Sequence, residues 1–164
     1  MNKRAVRRAT AEDVAVLTEI RNDAHRKKVG YFDYVWGREG DGFSEKWVRD
    51  HLSRKDVYIV EEAGLPVATL TLDFGPDAHW GGHEPSAGYV HGLCVKNGFN
   101  GRGLGSFMLD WCAEKIRDMG RRYIRLDCAL QNEKLCAYYE SLGFVRMGIK
   151  TDGVDWSLYE KSVR

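Results

Sequence analysis

The chain has 164 residues, 30% of them charged, and a formal net charge of only +1 at pH 7. This length predicts a single domain over residues 1–164 with its own core, and the near-neutral charge excludes the broad basic surface that binds nucleic acids or anionic membranes. No apolar run follows the charged residues 1–8, so neither a signal peptide nor a membrane span is expected.

The N-terminal quarter of the chain predicts a strand and a helix. The strand covers residues 5–8, and Thr10 with Asp13 three residues later has the spacing of a capping box. The apolar face of the helix is formed by Val14, Leu17 and Ala24. The basic run 25–28 is interpreted as a solvated helix end, and residues 25–43, rich in aromatic side chains and glycine, are expected to be irregular.

The middle of the chain predicts a second short helix, a hairpin and a long polar loop. The helix covers residues 44–52, and the hairpin joins two β-branched runs at 57–61 and 66–72. The loop, residues 73–87, contains His79, Trp80, His83 and Glu84. We do not interpret its two histidines and Glu84 as a metal site, because no further ligand has metal spacing and a loop is a poor cage.

The C-terminal half alternates strands with helices. The predicted strands cover residues 88–95, 123–128, 144–147 and 156–161. Between them, one helix covers 103–119 and stops at Gly120, and a second begins at the cap Asn132 and reaches Leu142. The resulting order, β-α-α-β-β-β-α-β-α-β-β, is an α/β arrangement with a mixed sheet.

Four cysteines lie inside these predicted elements, and no two of them form a Cys-x-x-Cys pair. They are Cys94, Cys112, Cys128 and Cys136. This pattern predicts reduced thiols in a cytoplasmic protein and argues against a zinc site.

A glycine-rich turn, residues 100–105, joins the strand 88–95 to the helix that follows it. Such a turn leaves backbone N–H groups at the positive end of a helix, where a pyrophosphate can approach closely. A P-loop is excluded because no lysine follows Gly105. A dinucleotide fingerprint is excluded because Ser106 stands where its last glycine is needed and because the turn follows the fourth predicted strand, not the first.

This turn and the ending Tyr139-Glu-Ser-Leu-Gly-Phe144 together resemble the signature of the GCN5-related N-acetyltransferase (GNAT) superfamily. Asn100 stands where that family usually has Gln or Arg, which removes one side-chain contact to phosphate but leaves the backbone cradle. The resemblance covers about the last two-thirds of the chain. It implies an α/β fold with a mixed, mostly antiparallel sheet of six to seven strands, a splayed V between strands 4 and 5, and about four flanking helices.

The resemblance also implies acetyl-CoA as co-substrate and no metal. Backbone groups of strand 4 would pair with the pantetheine arm, the turn would hold the pyrophosphate, and the Cys94 N–H would face the oxyanion. Asn132 resembles the family's pantetheine-contacting asparagine; a plain helix cap is the alternative interpretation, and both can hold together. The implied cofactor-binding residues are Leu93, Cys94, Val95, Asn100, Gly101, Arg102, Gly103, Leu104, Gly105, Ser106, Asn132 and Tyr139.

His91 is the candidate general base. Strand alternation places it on one face with Tyr89, Leu93 and Val95. The run His-Gly-Leu-Cys-Val from His91 resembles the His-Ala-Leu-Ala-Val run of the serotonin N-acetyltransferase branch, whose histidine faces the acceptor. A histidine with a pKa near 6.5 can take a proton from an ammonium group. A hydrogen-bonded core histidine is the alternative interpretation.

Tyr139 is the candidate general acid, because the resemblance places the tyrosine before Glu-x-Leu-Gly-Phe near the cofactor sulfur. A phenol is well matched to protonating a thiolate. Tyr138 diverges from it by about 100° around the helix, so only one of the two is expected to reach the slot. A tyrosine that only packs the helix is the alternative.

The expected function is transfer of an acetyl group from acetyl-CoA directly to a primary amine of a small molecule. The aromatic segment before Phe43 suggests a lid over a closed pocket. A protein N-terminal or lysine acetyltransferase and a non-catalytic acyl-CoA-binding regulatory domain are the alternatives. Neither nucleic acid nor membrane is expected as a partner, and a homodimer is left open.

Overall fold

A seven-stranded mixed sheet organises the protein. The structure, a computed structural model, describes residues 3–81 and 85–164, so His83 and Glu84 lie outside the described residues. The strands are β1 (Arg4–Arg8), β2 (Val57–Glu62), β3 (Leu65–Asp73), β4 (Ala87–Val95), β5 (Tyr123–Ala129), β6 (Val145–Asp152) and β7 (Val154–Ser162). The helices are α1 (Val14–Gly30), α2 (Glu45–Arg54), α3 (Leu104–Asp118) and α4 (Glu133–Ser141). The element order is the predicted one.

The strands lie in the order β1-β2-β3-β4-β5-β7-β6. All neighbouring pairs are antiparallel except β4 and β5, which are parallel and pair only between Ala87–Tyr89 and Tyr123–Arg125. Beyond Tyr89 the two strands have no register with each other, and β5 continues beside β7 alone. The predicted mixed sheet with a V between strands 4 and 5 is therefore confirmed.

Two apolar cores cover opposite faces of this sheet. In β2, Val57 and Ile59 belong to the core with α1 and α2, whereas Val60 belongs to the larger core with α3 and α4. Alternate residues of a strand point to opposite faces, so the two helix pairs lie on the two sides. At about 25 cal/mol per Å² of apolar surface, these cores are the main favourable term in folding.

A bulge at Gly92 changes the register of β4. Opposite β3, His91 faces Thr71 and Cys94 faces Thr69, so β4 has one residue more than β3 over this stretch. Gly92 supplies the left-handed backbone, with φ +58°. Directly opposite residues share a face, and Cys94 therefore lies on the face of His91. The predicted alternation was wrong here, because it continued through the bulge and placed Val95 on that face.

The first helix is longer than predicted. The capping box at Thr10 and Asp13 is present and starts a short 3-10 turn, after which α1 continues to Gly30. The prediction of irregular structure over 25–43 is correct for residues 31–43 and wrong for 25–30, where His25 is itself a core contact, buried with Nε2 3.2 Å from the Gly37 carbonyl oxygen. None of the helices described here is long and apolar enough to cross a membrane.

Candidate active site

The V between β4 and β5 opens into two neighbouring cavities. The turn cavity, about 580 Å³, is lined by the turn after β4 and by α4. The histidine cavity, about 570 Å³, is lined by His51, His79 and His91 and by side chains of the segment between α1 and α2. Four residues line both: Lys28, Leu93, Leu135 and Tyr139. The two cavities therefore meet beside Tyr139.

Glycines shape the turn cavity. Gly101 and Gly103 have φ of +77° and +75°, and Gly103 caps α3 in the left-handed conformation. The first N–H groups of α3 have no partner within the helix, and Leu104 and Gly105 line the cavity. This geometry provides backbone donors at the positive end of a helix dipole, which is suited to an anion.

Two lysines that the sequence prediction missed lie at this cavity. Lys27 donates to Oδ1 of Asn100 over 2.9 Å, and Lys134 donates to the hydroxyl of Tyr31 over 2.9 Å. Both lysines line the turn cavity. The basic run at the end of α1 is thus more than a solvated helix end. Only its long-range contact with Asn100, 73 positions away, reveals this.

Ten of the twelve predicted cofactor-binding residues line the turn cavity, and Arg102 and Ser106 do not. The Arg102 guanidinium lies 2.5 Å from the buried carboxylate of Glu62, which also pairs with Arg4. It also lies over the ring of Phe99. The Arg102 side chain thus pairs with Glu62 in this structure, and its contact with phosphate stays a prediction.

Asn132 is buried and caps α4. Its Oδ1 accepts a hydrogen bond from the Leu135 N–H over 3.1 Å, and its Nδ2 donates to Oδ2 of Asp33 over 2.9 Å. Asp33 is 1% exposed and also accepts from the Val35 N–H. The cap interpretation is correct, and Asn132 in addition ties the aromatic segment to α4. Its contact with pantetheine stays a prediction.

Tyr139 lies where the two cavities meet. It is 6% exposed, and its ring packs against Phe144 and Tyr159. Within residues 3–81 and 85–164 its hydroxyl has no hydrogen-bond partner. Burial raises the pKa of this phenol well above its ordinary value, so the hydroxyl keeps its proton at neutral pH. A buried phenol that is free to donate is suited to act as an acid.

Tyr138 also lines the turn cavity, so the expectation that only one of the two tyrosines reaches the slot was wrong. The Tyr138 hydroxyl lies directly over Gly105, where a β-carbon would be 2.2 Å from it. It does not line the histidine cavity, whereas Tyr139 does. Of the two, only Tyr139 contacts the region shared by both cavities.

The histidine cavity contains two carboxylate–histidine pairs. Nε2 of His91 lies 3.0 Å from Asp77, and Nδ1 of His79 lies 2.8 Å from Asp127. Burial lowers the pKa of His91, but the hydrogen bond and charge of Asp77, together with the charges of Asp127 and Asp73, outweigh burial, and the net pKa is above the ordinary value. His91 thus lines a cavity beside a carboxylate, an arrangement in which it can accept a proton.

The three groups Asp77, His79 and Asp127 place ligand atoms within 4.8 Å of one another. The His79 ring is already hydrogen-bonded to Asp127, and the His79 backbone N–H donates to Asp77 over 2.9 Å. These hydrogen bonds account for the approach of the three groups. We assign no metal to them.

Cys94 lines the turn cavity and is buried, with 1% of its surface exposed. Burial raises the pKa of the thiol, so this group is a protonated core cysteine. The proposed role of the Cys94 N–H toward an oxyanion stays a prediction.

Comparison with known proteins agrees with this geometry. The Acetyltransferase (GNAT) family profile matches residues 12–144. A Bacillus subtilis (strain 168) protein named uncharacterized N-acetyltransferase YesJ is 37% identical over 86 residues, which are 51% of this chain and 46% of that protein. The chain spans about half the length of the curated relatives that it matches.

Solved structures share the fold. The aminoglycoside acetyltransferase AAC(6')-Ib, in complex with coenzyme A, superposes with a TM-score of 0.77 at 20% identity over 98% of this chain and 95% of its own. YncA from Salmonella typhimurium, a putative acetyltransferase solved with acetyl-CoA, gives 0.68 at 18% identity over 98% of this chain and 94% of its own. With the family profile matching most of its length, the chain belongs to the Acetyltransferase (GNAT) family.

Proposed function

We propose that this protein is an N-acetyltransferase that moves an acetyl group from acetyl-CoA directly to the primary amine of a small molecule. The observation that carries the proposal is the junction of the two cavities at Tyr139, with an anion-binding turn on one side and the Asp77–His91 pair on the other. Direct transfer needs a thioester and an amine in contact at one point. The junction is the place for that contact.

The turn cavity fits coenzyme A by its chemistry. Backbone donors at the start of α3 suit the pyrophosphate, and the side chains of Lys27 and Lys134 add positive charge. Residues 90–95 of β4 have no partner strand on the β5 side. Their backbone groups suit the amides of a pantetheine arm, which would then occupy the position of a strand.

The roles of the catalytic residues follow from the proton transfers that the reaction requires. An ammonium group entering the histidine cavity is attracted by Asp77 and loses a proton to His91. The neutral amine attacks the thioester carbonyl, and the Cys94 N–H stabilises the resulting oxyanion. As the C–S bond breaks, Tyr139 donates its proton to the departing thiolate, and the phenol is restored by the proton that the attacking nitrogen loses as it becomes an amide. Because burial raises the pKa of a thiol as well as of a phenol, the two groups remain matched inside the site.

A small acceptor is supported by the walls of the histidine cavity. Trp36 and Phe43 come from the segment between α1 and α2 and line the cavity together with Trp47 of α2. Their rings pack edge to face, with centroids 5.5 Å apart for Trp36 and Phe43. The volume of about 570 Å³ lies in the range of small-molecule sites.

Thiol release from acetyl-CoA across a panel of amines tests the proposal, with Tyr139→Phe as the diagnostic variant. We expect its kcat to fall roughly ten- to a thousandfold. Its acetyl-CoA affinity and melting temperature should stay nearly unchanged, because the hydroxyl makes no hydrogen bond to any residue that the structure describes.

Tyr138→Phe is the matched control. It removes only the hydroxyl that lies over Gly105 at the turn cavity, so it should change acetyl-CoA binding by no more than a few fold and leave kcat near normal. A large loss of kcat in this variant, and none in Tyr139→Phe, contradicts the assignment of the acid. Tight acetyl-CoA binding by the unmodified protein without turnover of any amine favours a non-catalytic acyl-CoA-binding domain.

A further inference from the structure

Among residues 3–81 and 85–164, no acidic side chain pairs with a buried arginine in the histidine cavity. Arg21, on α1, is 6% exposed and lines the cavity. Its guanidinium lies over the rings of Trp36, Phe43 and Trp47, at 5.5, 5.1 and 4.8 Å from their centroids. Aromatic faces attract a cation, but they accept none of its five N–H hydrogen bonds in the plane of the guanidinium.

Most N–H groups of the Arg21 guanidinium have no hydrogen-bond acceptor among the described residues, 3–81 and 85–164. Its one polar contact there is with Nε2 of His51, at 3.4 Å. Burial and the neighbouring positive charges of Arg21, Arg54 and Lys55 lower the pKa of His51 to about 4, so this imidazole is neutral and supplies no counter-charge. Buried charged groups are normally paired, and the pKa of Arg21 is lowered by its burial.

The other charges of the histidine cavity are already paired. Lys28 lies 3.5 Å from Asp33, Asp77 faces His91, and Asp127 faces His79. An anionic group of a ligand can therefore pair with Arg21 while the three pairs named above stay intact.

Arg21 also lies close to the candidate base. A β-carbon at Gly92 would be 2.5 Å from Nη2 of Arg21, so the guanidinium rests on the bulge immediately after His91. On the neighbouring strand Thr71, which faces His91 in register, contacts His51 over 3.2 Å. A molecule whose amine faces His91 therefore presents the atoms next to its amine to Arg21.

We propose that the acceptor carries a carboxylate close to its primary amine, as an α-amino acid does, and that Arg21 binds this carboxylate while Asp77 and His91 face the amine. The proposal rests on the proposed function above and narrows its substrate class. The planar fork of an arginine matches the two oxygens of a carboxylate. An N-terminal residue of a protein lacks this group, because its carboxyl is part of a peptide bond.

Matched pairs of ligands test the proposal by equilibrium binding in the presence of coenzyme A. Each of the common L-amino acids is compared with its decarboxylated amine, for example phenylalanine with phenethylamine and glutamate with 4-aminobutyrate. We expect the unmodified protein to bind at least one amino acid roughly 10- to 100-fold more tightly than the matching amine. In Arg21→Met this preference should fall to within about threefold, as only the charged fork is removed.

The melting temperatures of Arg21 variants distinguish a role of Arg21 in ligand binding from a role in stabilising the fold. Arg21→Met removes a buried cation without a counter-charge and keeps similar volume, so the melting temperature should be equal or higher. Arg21→Lys, which keeps the charge but loses the fork, should show an intermediate preference and serves if the methionine variant does not fold. Arg26→Gln is the control on the same helix. Arg26 is exposed and pairs with Asp23 outside the cavity, so this variant should keep the full preference.

Equal binding within every pair by the unmodified protein overturns the proposal, and so does a preference that survives in folded Arg21→Met. Thiol release from acetyl-CoA, measured in parallel, distinguishes this from the proposed activity. Amino acids that bind through Arg21 without turnover support the carboxylate site and contradict the activity. Equal turnover of both members of each pair supports the activity and contradicts the carboxylate site.

Discussion

Replacing Asp77 with asparagine changes the proton affinity of the candidate base without touching the base itself. The Asp77 carboxylate lies 3.0 Å from Nε2 of His91. Its hydrogen bond and charge, together with the weaker effects of the Asp127 and Asp73 charges, raise the pKa of His91 above 6.5 against the opposing and individually larger effect of burial. Asparagine keeps the shape of the side chain and removes the charge. Burial then dominates, and the pKa of His91 should fall below 6.5.

The size of the effect follows from the distance. Two unit charges 3.0 Å apart interact by about 1.4 kcal/mol even at the dielectric constant of bulk water. That energy equals roughly a tenfold change in proton affinity, and partial burial increases it. A base works only when deprotonated, so the acidic limb of kcat/KM should lie above pH 6.5 in the unmodified protein and below it in Asp77→Asn.

Thiol release measured between about pH 5 and 9 reveals the acidic limb of the unmodified protein and of Asp77→Asn. At low pH, Asp77→Asn should retain roughly tenfold more of its own plateau rate than the unmodified protein does, although the plateau is lower because His91 becomes a weaker base. Asp152→Asn is the control, because the Asp152 side chain is 71% exposed and lies 3.8 Å from His79, whereas Asp77 pairs with His91. An acidic limb that stays in place or moves upward in Asp77→Asn refutes the assignment of His91 as the base.

Three further changes test other parts of the site. Asn132→Ala should lower the free energy of unfolding by about 2–4 kcal/mol in urea denaturation, because it removes the cap of α4 and one hydrogen bond from the buried Asp33 carboxylate. Gly103→Ala should lower the free energy of unfolding by roughly 1–2 kcal/mol, because an alanine is strained at φ +75°, and an unchanged melting temperature contradicts this backbone conformation. Lys134→Gln should weaken acetyl-CoA binding a few fold in calorimetry at low salt, and the difference should shrink as salt rises. A salt-independent loss argues against a charge contact with phosphate.

Local patterns predicted the architecture well. The order of the strands and helices followed from periodicity and turn residues, and the glycine turn was recognised because its spacing is a property of consecutive residues. The bulge at Gly92 was missed, since alternation in a strand is read residue by residue and one inserted position reverses the face of all that follow. Val95 and Cys94 exchanged faces for this reason.

The polar contacts of the site could not be predicted, because each joins segments far apart in the sequence. Arg21 meets the bulge of β4 and the rings of the segment after α1, and nothing next to Arg21 in the sequence marks it as buried. Asp77 was part of a loop judged only by its histidines, and its importance depends on the strand against which the loop folds. Residues of this kind are identified by their partners, which only the fold supplies.

The short pairing between β4 and β5 has a mechanical consequence. Among the described residues, three pairs, 87–89 with 123–125, join β4 to β5, and β4 runs on for another six residues, about 20 Å. A rotation of about 5° at the paired end therefore displaces the far end by nearly 2 Å over that lever arm. At the paired end Gly88 lies tightly under Ile116 of α3, with no room for a β-carbon. A methyl group at Gly88 would push against Ile116 at the paired end of the two strands. It would thereby alter the opening of both cavities, although Gly88 lines neither of them.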